Sequence, residues 1–167
     1  LLLSDMTFNS NNADDCYGMV GGNDSAASIN ALNLTWGTDW NFLAKDDSPG
    51  TTPNGSGLFG GFSFALVADS GKAGDWTLTA TDLNGTALPN LPASFDFVGV
   101  LKGGSGYGLW FFDDARVDAS NTGTFSIHFK NGGGRIPNLS HLSLYIREGS
   151  DPGNELPEPG SLALLSL

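Results

Sequence analysis

Two histidines, His128 and His141, one cysteine, Cys16, and fifteen aspartates are the side chains in this sequence best suited to acid–base, nucleophilic or metal chemistry. Ser140, His141 and Tyr145 lie close together in the chain, and a Ser-His-Asp set can be drawn from them with any of the aspartates. A serine nucleophile, however, needs a positioned base and preorganised oxyanion donors. No Gly-x-Ser-x-Gly elbow is present, and Gly103-Gly104-Ser105-Gly106 reads as a hairpin turn. His141 is therefore predicted to hydrogen-bond across strands and organise a corner. His128 alternates with Ile127 and Phe129 and is predicted to face solvent or an interface. Cys16, His128 and His141 share no ligand spacing of a transition-metal site. The chain is read as a non-enzyme, with no catalytic residue assigned.

Hard oxygen donors are more plentiful, and they suit Ca²⁺. The candidates fall in three loops: Asp14, Asp15, Asn23 and Asp24 in the first, Asp46 and Asp47 in the second, and Asp113, Asp114 and Asp118 in the third. None fits an Asp-x-Asp-x-Asp-Gly loop, so solvated turns compete with a calcium site at each. Carbohydrate chemistry would need exposed aromatic faces. Trp76 and Trp110 alternate with neighbours in a way that places them in a core, whereas Trp36 and Trp40 flank the Gly37-Thr38-Asp39 turn and are the candidates for sugar stacking.

The elements that must position these residues are strands. Trp76-Thr77-Leu78-Thr79-Ala80-Thr81 puts three apolar side chains on one face and three threonines on the other. The same period of two recurs over 125–130 and 142–147. Further strands are predicted over 4–8, 29–36, 40–45, 60–68, 94–102 and 106–113, separated by Gly, Asp, Asn, Ser and Pro clusters. Glycine supplies 24 of 167 residues, about twice the usual share, which is what many tight turns require. About nine short strands with no long 3.6-residue period indicate an all-β fold, an antiparallel β-sandwich of jelly-roll-like type. Its predicted extent is 1–147, and 148–167 reads as a linker and tail. The net charge of −11 argues against nucleic acid, which needs a basic face. A single cysteine excludes an internal disulfide, leaving Cys16 as a buried small hydrophobe or an intermolecular thiol.

The tail Leu156-Pro157-Glu158-Pro159-Gly160 opens into the apolar run Ser161–Leu167. It resembles the start of the PEP-CTERM sorting signal of Gram-negative bacteria, with Pro157, Glu158, Pro159 and Gly160 as the signal residues. Four internal segments resemble the same group: Leu139-Ser140-His141-Leu142-Ser143-Leu144-Tyr145, the Cys16–Asp24 stretch ending Gly21-Gly22-Asn23-Asp24, the strand Trp40-Asn41-Phe42-Leu43-Ala44-Lys45-Asp46, and the apolar strand, Lys102 turn and aromatic strand from Phe95 to Phe112. The full tag continues into a longer membrane helix and a basic cluster, and the seven residues after Gly160 are too few to span a bilayer. The resemblance implies export by an exosortase to the cell surface or extracellular matrix of a Gram-negative bacterium, in the setting of exopolysaccharide and biofilm.

The function expected is that of a secreted structural protein forming a homopolymer by terminal strand exchange. Residues 1–8 and 162–167 are the predicted donors. Leu1, Leu2, Leu3, Leu162, Leu164, Leu165 and Cys16 are the predicted subunit contacts. The alternative is an exopolysaccharide-binding module, with calcium assisting. No cofactor other than calcium and no stable membrane span are expected.

Overall fold

A computed structural model describes residues 1–51 and 55–149. The PEP-CTERM-like residues Pro157, Glu158, Pro159 and Gly160, and Leu162, Leu164 and Leu165, lie outside the described residues. Eleven strands, β1 (Thr7–Phe8), β2 (Asn11–Asn12), β3 (Asp15–Gly21), β4 (Asn41–Asp46), β5 (Gly55–Phe59), β6 (Phe62–Ala68), β7 (Ala73–Asp82), β8 (Ala93–Gly103), β9 (Gly106–Val117), β10 (Ser120–Ser126) and β11 (His141–Glu148), are joined by one short helix, α1 (Ala26–Ala31). A five-stranded sheet, ordered β3-β9-β8-β11-β4, packs on a four-stranded sheet, ordered β10-β7-β6-β5, and every pairing is antiparallel. The predicted antiparallel β-sandwich is the observed fold. Among the described residues no helix is long and apolar enough to cross a membrane.

The alternation seen in the sequence decides which face is buried. Trp76, Leu78 and Ala80 of β7 point inward, while Thr77, Thr79 and Thr81 stay on the outer face. They meet Phe62, Phe64 and Leu66 of β6, Phe95, Phe97 and Leu101 of β8, Trp110 and Phe112 of β9, and Leu142, Leu144 and Ile146 of β11. The five-stranded sheet is covered on its second face as well. Val98, Val100, Leu109, Tyr107 and Tyr145 pack there against Ile29, Trp36 and Trp40. This double burial explains why β8 reads as a nearly unbroken apolar run rather than an alternating one.

Residues 29–36 were predicted as a strand and instead begin inside α1. Ser25 caps the helix, its hydroxyl accepting from Ser28 N while Ser28 Oγ accepts from Ser25 N. Ile29 and Leu32 are one helical turn apart and press on the sheet. The predicted strand 60–68 is β6, which starts at Phe62; Gly60-Gly61, both with left-handed φ, are the turn that joins it to β5, a strand not predicted from the sequence. β3 was read as a loop. It carries an extra residue between Tyr17 and Val20 relative to β9, a bulge that breaks its alternation.

Three of the four sheet edges are sealed by this chain itself. β5 lies directly on the backbone of β4: a Cβ at Gly57 would collide with the Leu43 carbonyl oxygen and one at Gly55 with that of Lys45. Along β10, residues 6–9 act as an additional strand. Met6 bridges Phe125, Asn9 N donates to Thr122 O at 2.7 Å, and Thr124 N donates to Thr7 Oγ1 at 2.9 Å. The outer edge of β3 has no strand beside it among the described residues. Leu1, Leu2, Leu3, Tyr17 and Met19 are exposed, and the Leu1 side chain reaches Gly18 and Gly108. Cys16 on β3 is half-buried against the core, with its thiol pKa pushed up by burial.

Candidate functional site

The chemistry-bearing residues gather in three places: a buried polar node on β11, an acidic groove at the end of β9, and a cleft filled by residues 1–9.

The node joins two motifs that are far apart in the chain. His141, Ser143 and Tyr145 occupy alternate positions on β11 and so share one face. Asp24, at the end of the loop that leaves β3, reaches down to them with a carboxylate that is 1% exposed. Its Oδ1 lies 2.5 Å from His141 Nε2, and its Oδ2 accepts from Tyr145 OH at 2.6 Å. Ser143 Oγ is buried beneath the same carboxylate without a well-formed hydrogen bond. Burial alone would raise the Asp24 pKa, but the bonds from His141 and Tyr145 outweigh it and hold the carboxyl at about 2. Burial and the Asp24 charge push the Tyr145 phenol well above its ordinary range. His141, predicted to hydrogen-bond across strands, instead bonds a loop carboxylate and ties that loop to β11. The His and Tyr of the Ser-His-x-Ser-Leu-Tyr segment are the donors, and the Asp of the Gly-Gly-Asn-Asp segment is the acceptor.

The groove, of about 580 Å³, is lined by Asn9, Asn11, Asn12, Asp14, Asp113 and Asp114 over a floor of Phe8 and Phe112. Carboxylate oxygens of Asp96, Asp113 and Asp114 lie within 4.8 Å of one another. Asp96 is the member that sequence reasoning missed. The signal was available: it is the one charged residue within Phe95-Asp96-Phe97-Val98, an otherwise apolar strand. Its two oxygens are already committed, Oδ2 to Arg147 Nε and Oδ1 to Asp114 N, each at 2.8 Å. Asp14 Oδ2 accepts from Asp113 N at 2.7 Å. The oxygen donors are of the type Ca²⁺ takes, but the set is partly spent on holding the loop. Partial burial, followed by repulsion from Asp96, Asp114 and Asp14, raises the Asp113 pKa. A raised carboxyl pKa in the fold means that its contribution to stability is full at low pH and is lost as pH rises through the folded value. Asp113→Asn should therefore stabilise the fold at pH 7 by less than about 1 kcal/mol, because the site is solvent-screened, and this is read as a higher thermal midpoint. The gain should fade toward pH 3; a scan that shows it growing there contradicts the repulsion argument.

The remaining calcium candidates do not converge. Asp15 Oδ2 accepts from Trp36 Nε1 at 2.8 Å, and Asp24 faces β11. Asp46 is buried and receives Ser48 N and Ala68 N, while Asp47 is exposed and pairs with Lys45. Asp118 pairs with Arg116 at the rim of the groove, and Asn23 is exposed.

The sugar-stacking assignment is corrected. Trp36 and Trp40 are 6% and 3% exposed. Trp36 stacks on Phe111 at 5.3 Å and 11°, and the Arg147 guanidinium sits 4.3 Å over the Trp40 ring. Arg147 is held there by Asp96 and Asp39. A turn flanked by tryptophans looks like a display surface in sequence, but here it folds back to cover the outer face of the five-stranded sheet.

The cleft was foreshadowed only by its occupant. Asp5 is 1% exposed and its Oδ1 lies 2.6 Å from Nδ1 of the exposed His128. Met6 and Phe8 enter the core, Phe8 stacking on Trp76 at 5.5 Å. The indole N–H groups of Trp76 and Trp110, both in buried side chains, donate to Thr7 O at 3.1 Å and Leu2 O at 2.9 Å. Of residues 1–8, predicted as a donor to another subunit, Asp5 to Phe8 thus lie in their own chain's cleft.

No family model, no curated protein and no solved structure matches this chain.

Proposed function

We propose that this chain is a structural protein of the Gram-negative cell surface or biofilm matrix, exported through an exosortase, that assembles with copies of itself into an extracellular filament by terminal strand exchange. The observation that carries the reading is the completion of the β10 edge by residues 6–9. Strand addition, the chemistry such an assembly needs, is already used within one chain. The unsealed β3 edge adds a second surface of the same kind, flanked by exposed Leu1, Leu2, Leu3, Tyr17 and Met19. A third support is the use made of the reactive side chains. His141, Tyr145 and Asp24 tie a loop to β11, while Asp96 and Asp46 tie one strand to another. The export route rests on the resemblance of Pro157-Glu158-Pro159-Gly160 and the internal segments to PEP-CTERM proteins.

Purified full-length chain, followed by sedimentation velocity and negative-stain electron microscopy over rising concentration, should convert from monomer to long unbranched assemblies. A chain that stays monomeric at every concentration up to the millimolar range overturns the reading.

A further inference from the structure

We propose that residues 1–8 are an exchangeable strap: in the assembled protein the cleft of each copy holds residues 1–8 of a neighbouring copy in place of its own. The proposal rests on the assembly reading above and names its joint.

The cleft holds a 3-10 turn over Leu3–Asp5 followed by an extended stretch from Met6, with two side-chain pockets. Trp76 and Trp110 grip the carbonyls of Thr7 and Leu2, and the edge of β10 binds Asn9 N and Thr7 Oγ1. Gly99 makes room for the Met6 side chain, because a Cβ there would collide with its sulfur and terminal methyl. Phe8 fills a pocket bounded by Trp76, Phe97 and Phe112. Emptying the cleft would orphan two buried indole donors and open the core, so it must be filled. Residues 1–8 of another copy offer the same groups in the same order and satisfy these contacts, apart from that of Asn9, which belongs to the hinge.

The hinge is where the two arrangements differ. β1 and β2 form a hairpin in which Phe8 opposes Asn11, so Asn9 and Ser10 are its two turn residues. Both have left-handed φ, 48° and 67°. A two-residue turn of this kind favours Asn-Gly, and serine carries a Cβ that disfavours the second position. Short hinge loops under strain are the setting in which domains swap. β2 pairs with β1 alone, so opening the turn breaks no ladder of either main sheet. Once the turn opens, residues 9–12 become the link between the two bodies, about 13 Å when extended. One strap given and one received per copy makes a head-to-tail chain that need not close.

The test uses Thr7 and Thr124, whose side-chain oxygens are 2.7 Å apart. T7C and T124C are made as separate full-length variants, each with Cys16→Ser, then mixed, co-refolded from urea, assembled and oxidised. Within one copy neither variant can form the 7–124 disulfide, so a 7–124 crosslink between chains, identified by mass spectrometry, reports a strap in a neighbour's cleft. The crosslink should rise in proportion to the assembled fraction. It should fall about fivefold to tenfold when Ser10→Gly relaxes the hinge in both variants. The T7C/T124C double variant, oxidised as a dilute monomer, should lose assembly at least tenfold and regain it with reductant. Assemblies without the interchain 7–124 crosslink, or undiminished assembly with the strap stapled at home, overturn the exchange and leave the assembly reading standing. Unmodified chain that never assembles overturns both.

Discussion

The Asp24→Ala variant is expected to lose about 3–5 kcal/mol of folding stability, read as a lower urea midpoint with an unchanged slope. The carboxylate is 1% exposed and is the shared partner of His141 Nε2 and Tyr145 OH. Removing it leaves two buried polar groups facing a void, and the desolvation they underwent on folding is no longer offset. The loop bearing Asp24 then has little to hold it over β11. The pH dependence carries a sign. The folded pKa lies at about 2, below the ordinary 3.8. The stabilisation is therefore fully present above 3.8 and is lost as pH falls through about 2. Over that interval the gap between the native chain and Asp24→Asn should close by roughly 2 kcal/mol, following the size of the shift. A gap that stays constant down to pH 2 would mean that the charge on Asp24 contributes nothing and that only its volume matters.

The Phe8→Ala variant is expected to cost about 3–5 kcal/mol, a large share of the 5–15 kcal/mol typical of a domain this size. Phe8 is 4% exposed and its ring contacts Trp76, Phe97 and Phe112. The residual cavity would open onto the groove floor, which Phe8 and Phe112 form together. Leu3→Ala, a few residues away at a position 42% exposed, should change stability by no more than about 0.5 kcal/mol. The contrast separates a strap that is part of the core from one that merely lies on it. Equal effects at both positions, measured by urea unfolding of the full chain, would contradict the packing described here.

How much of this could be read beforehand varies by residue. The period of two in 76–81 placed Trp76, Leu78 and Ala80 inside without any knowledge of their partners, and all three are buried. Ile127 and Phe129 are buried and His128 exposed, as their alternation indicates, although β10 ends at Ser126 and they extend beyond the ladder. Trp36 and Trp40 misled because a Gly-Thr-Asp turn between two tryptophans has the same local appearance whether it projects into solvent or lies flat on a sheet. Phe111 and Arg147, which cover those rings, are more than seventy residues away in the chain, and nothing local announces them. Asp15, Asp24 and Asp46 looked like a common pool of loop carboxylates. Each instead found a different donor, on Trp36, β11 and β6 respectively.

Residue order alone carried the class of fold, because side chains on a strand alternate between faces and burial on one face is written locally as a repeat of two. It carried the acidic, turn-rich character for the same reason: these are properties of neighbours in the chain. Tertiary structure decided which polar groups meet. Asp24 and His141 are 117 residues apart, as are Thr7 and Thr124. Their encounter depends on strand order, on a bulge in β3 and on glycines that let β5 lie against β4. Whether a carboxylate becomes a ligand, a cap or a buried latch depends on the donors that packing brings within about 3 Å of it, and that choice is made only when the two sheets close on each other.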